Sequence, residues 1–238
     1  MFDPKGPSLA ELAKQAFSST NDGYDLLAPK FDLTPFRTPD DLLDQIAPYL
    51  GAPGSAADGL DLCTGTGAAM RILHPVCTTS ATGIDRSQGM LDVARTRSLP
   101  GPADLRWVQA DAMDALPAES VDVVTCFGAH GHILRPQQQP FANNIFSALR
   151  PGGRYVCLTA DRPTPLNPAW WLARSFNAVM HARNAVRRPP FIMFYLLFTT
   201  ERATDVLTTA GFDVAIDRDV LSRPYRSLHV LTATKPPK

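Results

Sequence analysis

The sequence has no net charge, no long hydrophobic run and few cysteines. Among 238 residues, 23 Lys and Arg balance 23 Asp and Glu, which argues against a nucleic-acid binder that works through overall positive charge. No stretch reaches the ~20 apolar residues that span a bilayer. The first five residues lack the apolar core of a signal peptide. We therefore expect a cytoplasmic protein without a transmembrane segment.

The cysteines also exclude some chemistry. Four are present, without paired spacing, at positions 63, 77, 126 and 157. Three of them lie in apolar strand-like runs, where cysteine behaves as a small hydrophobic residue. We expect a reducing environment with no disulfides and no metal site. The hydrophobic fraction of 45% is enough to form a core, so disorder is excluded as the main state.

Apolar strand-like runs alternate with helical patterns, which predicts an α/β protein with a mostly parallel sheet. We expect strands at 60–63, 81–85, 105–108, 121–127, 154–159, 212–216 and 227–234. The last two runs are too close for an intervening helix, so they should pair antiparallel. Before the fifth strand, a helix should carry Phe141, Ile145 and Leu149 on one face and stop at Pro151–Gly153.

Two regions lie outside this alternation and suggest a division of the chain. Residues 1–55 contain helical patterns at 9–17 and 39–50 and form a predicted N-terminal helical cap. Residues 56–161 and 199–238 form the predicted core. Residues 162–198 interrupt it as an insertion, the predicted substrate lid.

A glycine-rich turn follows the first strand, and acidic residues surround it. Gly65 and Gly67 let a ligand approach the main chain. The third glycine of the dinucleotide fingerprint is replaced by Met70, and no phosphate-binding lysine follows. Asp61, Asp85 and Asp111 should share the carboxyl edge of the sheet, where such folds bind ligands. Several acids without a cationic clamp suit a nucleoside of cationic character better than a pyrophosphate.

Four segments in this order resemble class I S-adenosylmethionine-dependent methyltransferases, in particular the small-molecule group that includes ubiquinone and menaquinone biosynthesis methyltransferases. They are Asp61–Gly67, Gly83–Ser87, Ala110–Ala112 and Leu149–Gly153. The resemblance covers residues 55–160. It implies a Rossmann-like, three-layer α/β/α fold with a seven-stranded, mostly parallel sheet and an antiparallel last strand, and S-adenosylmethionine as cofactor. One departure is Cys63, where the family often has glycine.

The resemblance also implies roles for individual residues. Asp61, Cys63, Gly65 and Gly67 would hold the methionine moiety, and Asp85 the ribose. Arg86 and Met90 would flank the adenine, and Asp111 and Ala112 would contact it. Phe127 would line the sulfonium end, and Tyr24 would close over the cofactor. The acids can instead be helix caps or turn formers, and Met90 and Tyr24 can be core residues.

Two histidines follow the fourth strand, where the transferable methyl group should lie. His130 or His132 is a candidate general base, because imidazole titrates near neutrality. The pair can equally serve as a hydrogen-bonding device in a loop. Without a third ligand, it does not argue for a metal.

The insertion is rich in aromatic residues and holds five arginines but no acidic residue. We expect it to cap the site, with Trp170, Arg174 and Phe194 contacting the substrate. A helical hairpin on the sheet, a dimer surface and a membrane-surface patch are the alternatives.

These observations predict a methyltransferase that acts on a small, hydrophobic or aromatic, and in some cases anionic, acceptor by O- or C-methylation. The chain also lacks the Asn/Asp-Pro-Pro-aromatic motif common in enzymes that methylate amino groups of macromolecules. One alternative is an RNA or protein methyltransferase that uses the basic insertion. Another is a cofactor-binding or scaffold protein without catalysis. The oligomeric state is left open between monomer and homodimer.

Overall fold

The computed structural model describes residues 5–97, 99 and 101–238. Residues 1–4, which belong to the predicted cap and carry most of the segment compared with signal peptides, lie outside the described residues. Seven strands form one sheet: β1 Ala56–Leu62, β2 Cys77–Asp85, β3 Asp104–Gln109, β4 Val121–Cys126, β5 Leu149–Ala160, β6 Asp213–Asp217 and β7 Leu228–Thr234.

The strand order is β3-β2-β1-β4-β5-β7-β6. β7 runs antiparallel to both of its neighbours, and the other pairs are parallel, as the sequence predicted. Asp61 on β1 lies opposite Gly83 on β2 and Thr125 on β4. The carboxyl ends of the three central strands therefore meet at one edge, because parallel register aligns like ends.

Eight α-helices are found in the described part of the chain. They are α1 Leu9–Phe17, α2 Thr20–Leu27, α3 Asp40–Leu50, α4 Met70–Leu73, α5 Gln88–Arg95, α6 Arg135–Ala148, α7 Pro168–Val186 and α8 Thr200–Thr209. Short 3-10 turns cover Ala28–Leu33, His74–Val76 and His130–His132.

Each face of the sheet is covered by its own apolar cluster. Leu60 and Leu62 of β1 point to the face that packs against α6 and α8. On the opposite face, Val123 of β4 packs with residues of α3 and α4. Since side chains alternate along a strand, a nearly continuous apolar strand such as β4 supplies both clusters. The result is the three-layer arrangement that the resemblance implied.

The insertion is tied to the N-terminal helices by hydrogen bonds. The Arg183 guanidinium donates to the main-chain carbonyls of Ala16 and Ser18, and Arg187 donates to that of Phe17. The Ile192 main-chain N–H donates to Thr20 Oγ1 at 2.7 Å. Two of the five arginines therefore satisfy carbonyls at the end of α1, which has no intrahelical partner for its last carbonyls.

One local expectation was wrong, and one helix was not predicted. α6 ends at Ala148, and Leu149 already belongs to β5, because it is extended and pairs with Val121 of β4. Strand pairing therefore ends the helix before Pro151–Gly153. The sequence analysis also missed α2, which has little apolar periodicity but starts with Ser19, whose side chain accepts a hydrogen bond from Asp22 N–H.

A carboxylate at the opposite edge of the sheet provides a test of the fold. Asp122 Oδ2 accepts from the main-chain N–H groups of Ala57 and Asp58 and from Arg150, at 2.8–2.9 Å. Asp122→Ala leaves these donors without that acceptor, so we expect a loss of about 2–4 kcal/mol in the free energy of unfolding, measured in urea. Asp104→Ala, at an exposed 3.5 Å ion pair, should change it by less than about 0.5 kcal/mol. Equal effects of the two substitutions would contradict the structural role of Asp122.

Candidate active site

The turn after β1 has an unusual backbone. Cys63, Gly65 and Gly67 all have positive φ, at 54°, 54° and 78°. Glycine adopts this region without penalty, whereas a cysteine there is strained. This explains physically why glycine is common at position 63 in the resembling family. A Cβ on Gly65 would meet no atom within 4 Å, so its main chain is open to a ligand, whereas a Cβ on Gly67 would collide with Trp107.

Asp85, at the end of β2, holds this turn in place. Its Oδ2 accepts from Gly65 N–H at 2.8 Å and its Oδ1 from Ser87 N–H at 2.9 Å. Burial raises the pKa of Asp85 although these main-chain donors act in the opposite direction. Ser87 caps α5, as expected, by accepting from Met90 N–H. Asp85 therefore connects the glycine turn to the start of the following helix.

Asp61 is a buried carboxylate without a cationic partner. Its two oxygens accept from Thr64 Oγ1 and Thr125 Oγ1 at 2.6 and 2.7 Å, and 1% of the residue is exposed. Burial raises its pKa to about 6, although both threonines lower it. No basic side chain within the described ranges forms an ion pair with it. Such a group favours a positively charged ligand.

Asp111 lies where the third strand ends, but it already has partners. Its carboxylate pairs with Arg86 at 3.4 Å and accepts from Met113 N–H at 3.0 Å. Both side chains of the ion pair are exposed enough to exchange partners. Met90, Ala112 and Phe127 are buried and still line the same cavity.

One cavity of about 470 Å³ collects these residues. Its sheet side consists of residues from the strand ends and the turns that follow them. These are Asp61, Cys63, Thr64, Gly65, Thr66, Ile84, Asp85, Arg86, Ser87, Met90, Asp111, Ala112, Phe127 and Gly128. Gly67 is part of the turn but does not line the cavity. All the other residues expected at the cofactor, including Tyr24, are brought together here.

The cap side of the cavity is mostly apolar and comes from three separate parts of the chain. The N-terminal region, the segment after β4 and the end of the insertion contribute Tyr24, Phe31, Pro35, Phe36, Ile133, Leu134, Ile192, Met193 and Tyr195. Of these, sequence reasoning selected only Tyr24. The aromatic composition of the insertion could have indicated that Tyr195 lines the cavity. No feature of the sequence indicated this for Phe31 or Phe36.

His132 and Tyr24 form the polar group of the cap side. Tyr24 Oη lies 2.9 Å from His132 Nε2, and His132 Nδ1 is hydrogen-bonded to the Ile192 carbonyl. A carbonyl can only accept, so Nδ1 carries the proton and Nε2 accepts from the tyrosine. Burial lowers the pKa of His132 although the bond to Ile192 opposes this. The imidazole is therefore neutral at pH 7, with its basic nitrogen at Tyr24.

His130 has a different environment. Its Nε2 lies 2.8 Å from Tyr155 Oη, and its ring stacks on Phe198 with 4.4 Å between ring centroids. It does not line the cavity. Burial lowers the pKa of His130 to about 4. Of the two candidate bases, the structure thus brings only His132 to the cavity.

The three residues expected to contact the substrate are also placed elsewhere. Trp170 lies on α7 with the Arg174 guanidinium over its ring at 4.8 Å. Phe194 is buried against His181 and Met180. None of the three lines the cavity, because their neighbours Ile192, Met193 and Tyr195 take that place. The expectation was wrong about which side chains of the insertion face inward. Trp170 and Arg174 lie on the regular helix α7 but do not line the cavity, whereas Phe194 lies in irregular backbone, where no periodicity indicates the inward direction.

Two aspartates that sequence reasoning missed connect the N-terminal region to the glycine turn and to the start of α5. Asp25 of α2 accepts from Ser87 Oγ at 2.5 Å and from Gly89 N–H at 2.9 Å. Asp32 accepts from Thr66 Oγ1 at 2.6 Å and also binds Arg97. Both contacts join positions more than thirty residues apart, so no local sequence pattern predicts them.

Within the described ranges there is no group of three or more His, Cys, Asp or Glu that could hold a metal ion. None of the described helices is long and apolar enough to cross a membrane.

Comparison with known proteins agrees with this geometry. Residues 60–153 match the family described as "Methyltransferase domain". Those residues contain the glycine turn and all three acids of the cavity. Residues 60–153 of this chain are therefore similar to a methyltransferase domain. The matched residues supply the sheet side of the cavity, whereas most residues of the cap side of the cavity lie outside 60–153.

Relatives and a solved structure extend the likeness. Over 112 residues the chain is 38% identical to demethylmenaquinone methyltransferase of Lactococcus lactis, covering 44% of this chain and 42% of that protein. It is 26% identical to ubiquinone/menaquinone biosynthesis C-methyltransferase UbiE of Rubrivivax gelatinosus, covering 69% and 66%. The chain thus spans less than two thirds of either relative. The DhpI complex with SAH has the same fold, with a TM-score of 0.66, 19% identity and coverage of 97% and 100%.

The buried charge of Asp61 predicts a pH-dependent cost in stability. Folding raises the pKa of Asp61 from 3.8 to about 6, so the folded state binds this proton more tightly than the unfolded state. The stabilisation that proton binding provides is therefore present below pH 4 and is lost as the pH rises through 6. At pH 7, ionised Asp61 therefore lowers the free energy of unfolding by about 3 kcal/mol relative to a protonated side chain at this position. Asp61→Asn should therefore unfold at higher urea concentration than the wild type at pH 7, and the difference should vanish near pH 4. A less stable variant at pH 7 would contradict the cost.

Proposed function

We propose that this protein transfers a methyl group from S-adenosylmethionine to a small, hydroxylated aromatic acceptor. One observation carries the proposal: a single cavity has acidic residues on its sheet side and a histidine–tyrosine pair on its apolar cap side. The relatives act on quinone precursors according to their names, so a quinol is the first acceptor to test.

The sheet side fits this cofactor by the chemistry of its donors and acceptors. Asp61, a buried carboxylate lacking a cation, would face the positively charged methionine end. The open main chain at Gly65 would allow close approach, and Asp85 has lone pairs left for ribose hydroxyls. Arg86, Met90 and Asp111 would surround the adenine. When bound, the cofactor supplies a methyl group on a sulfonium, which is an electrophile.

The cap side provides the acid–base chemistry that the acceptor needs. An aromatic hydroxyl that donates to Tyr24 Oη passes its proton through the tyrosine to Nε2 of His132. The proton that His132 already holds stays on Nδ1, which donates a hydrogen bond to the Ile192 carbonyl, and this bond stabilises the imidazolium. Deprotonation makes the hydroxyl oxygen, or the ring carbon ortho to it, a better nucleophile. Apolar walls keep water away from both reacting groups.

The cavity lining favours a small molecule over RNA or protein. None of the five arginines of the insertion lines the cavity. The two arginines that do, Arg37 and Arg86, already pair with Asp40 and Asp111. A phosphate chain or acidic peptide would therefore have to displace an aspartate from Arg37 or Arg86 at this site. A substrate of about the cavity's size, with an apolar body and one polar group, matches it.

Calorimetry with S-adenosylmethionine tests the cofactor. Because protonated Asp61 loses its attraction for a cation, affinity should fall by up to about tenfold per pH unit below pH 6 in the wild type. Asp61→Asn should bind weakly at pH 7.5 and lose this pH dependence. Asp85→Ala should weaken binding by about 10–100-fold, through lost charge-assisted hydrogen bonds.

Asp92→Ala is the matched control, because this exposed aspartate on α5 pairs with Arg95 and does not line the cavity. Its affinity should stay at the wild-type value. No binding heat with the wild type would reject the cofactor assignment. Binding without turnover on any quinol or phenol would instead favour a non-catalytic cofactor-binding protein.

A pair of histidine variants tests the base. His132→Gln should lower kcat by about 10²–10⁴-fold while cofactor affinity is retained. Tyr24→Phe should also lower kcat, because the proton loses its route. His130→Gln removes the histidine two positions earlier in the sequence, which does not line the cavity. It should therefore lower the free energy of unfolding more than it lowers kcat. The measurement is S-adenosylhomocysteine formation against a panel of naphthalenediols and catechols.

The pH profile distinguishes loss of a base from loss of packing. In the wild type, kcat should fall on the acid side with a midpoint below 6.5, because burial lowers the pKa of His132. This acid limb should disappear in His132→Gln. Equal kcat losses for the His130 and His132 variants would contradict the assignment.

A further inference from the structure

One face of α7 is apolar, exposed and free of charge along the whole helix. At 100° per residue, the outward arc contains Trp171, Leu172, Ser175, Val179, Ala182 and Val186. Leu172, Val179 and Val186 are 73%, 64% and 88% exposed, and the Trp171 ring is also largely exposed. Single exposed apolar residues are ordinary, but a continuous stripe over about four turns marks an interaction surface.

The charged residues of the insertion all have one sign. Residues 162–198 hold five arginines and no acidic residue. Arg162, Arg174, Arg187 and Arg188 are exposed, and Arg183 and Arg187 hold the end of α1. Beside Arg187 lies Phe17 of α1, which is itself 55% exposed. An apolar face bordered by arginines complements a surface with negative charge outside and hydrocarbon beneath.

We propose that the outer face of α7, with the arginines of the insertion, docks this protein onto the surface of an anionic lipid bilayer. This inference does not depend on methyl transfer. A helix with an apolar face and flanking cations lies in the plane of the interface, with its apolar residues below the headgroups. Trp171 suits this depth, because its ring is apolar and its Nε1–H already donates to the Pro165 carbonyl.

Charge argues against a second copy of the chain on this face. A symmetric contact would place the same patch against itself. The arginines of both copies would then face each other without acidic partners from residues 162–198, which costs free energy. A lipid headgroup layer provides the missing negative charge. The other side of α7 contacts the cavity wall, since Phe176 and Asn177 contact Tyr195.

Cosedimentation with vesicles tests the proposal on the full chain, without cofactor or acceptor. The wild type should bind vesicles of phosphatidylcholine with phosphatidylglycerol at least about tenfold more than phosphatidylcholine alone, and lose this preference at high salt. The triple variant Trp171→Ser, Val179→Ser, Val186→Ser should bind at least about tenfold more weakly. Arg162→Glu with Arg188→Glu should abolish the preference for the anionic lipid.

Matched controls are Val220→Ser and Arg106→Glu, which alter an exposed apolar residue and an exposed arginine outside α7. Both should bind as the wild type does. Unchanged melting temperatures verify that the variants are folded, because all the substituted side chains are exposed. A wild-type chain that stays in the supernatant with both vesicles would overturn the proposal. A wild-type homodimer that the triple serine variant converts to a monomer would also overturn it. Equal vesicle binding by the wild type and the triple serine variant would do the same.

Discussion

The site depends on one carboxylate that bridges two turns of the sheet edge. Asp85 binds Gly65 N–H with one oxygen and Ser87 N–H with the other. This contact is possible because β1 and β2 are parallel and in register, so that their carboxyl ends lie side by side. It holds the glycine turn open and sets the start of α5. The acidic edge of the cavity follows from this single constraint.

The cap is built onto the same two turns. Asp25 contacts Ser87 and Gly89, and Asp32 contacts Thr66. The N-terminal helices therefore lie over the cofactor edge, and the insertion is fastened to them through Arg183. Closure of the cavity and positioning of Tyr24 at His132 result from this chain of contacts. Arginines that looked available for a ligand serve in part as structural ties.

Sequence reasoning was most successful where the signal is local. The strands, the glycine turn, the cap at Ser87 and the three acids of the core follow from spacing and residue type, and the structure contains all of them. It was least successful in the insertion. Phe194 does not line the cavity, whereas its neighbour Met193 does, and both lie in the irregular segment after α7. A chain without regular backbone has no repeat from which the inward direction of its side chains can be predicted.

The sequence by itself determined the fold class and the acidic edge, because strand periodicity and residues at strand ends are properties of neighbouring positions. Only the tertiary structure shows that His132, and not His130, lines the cavity. Two residues separate them in the sequence, yet one stacks on Phe198 and the other faces the cavity beside Tyr24. Side-chain direction in a short turn depends on partners that come from distant parts of the chain. The three-dimensional packing alone brings those partners together.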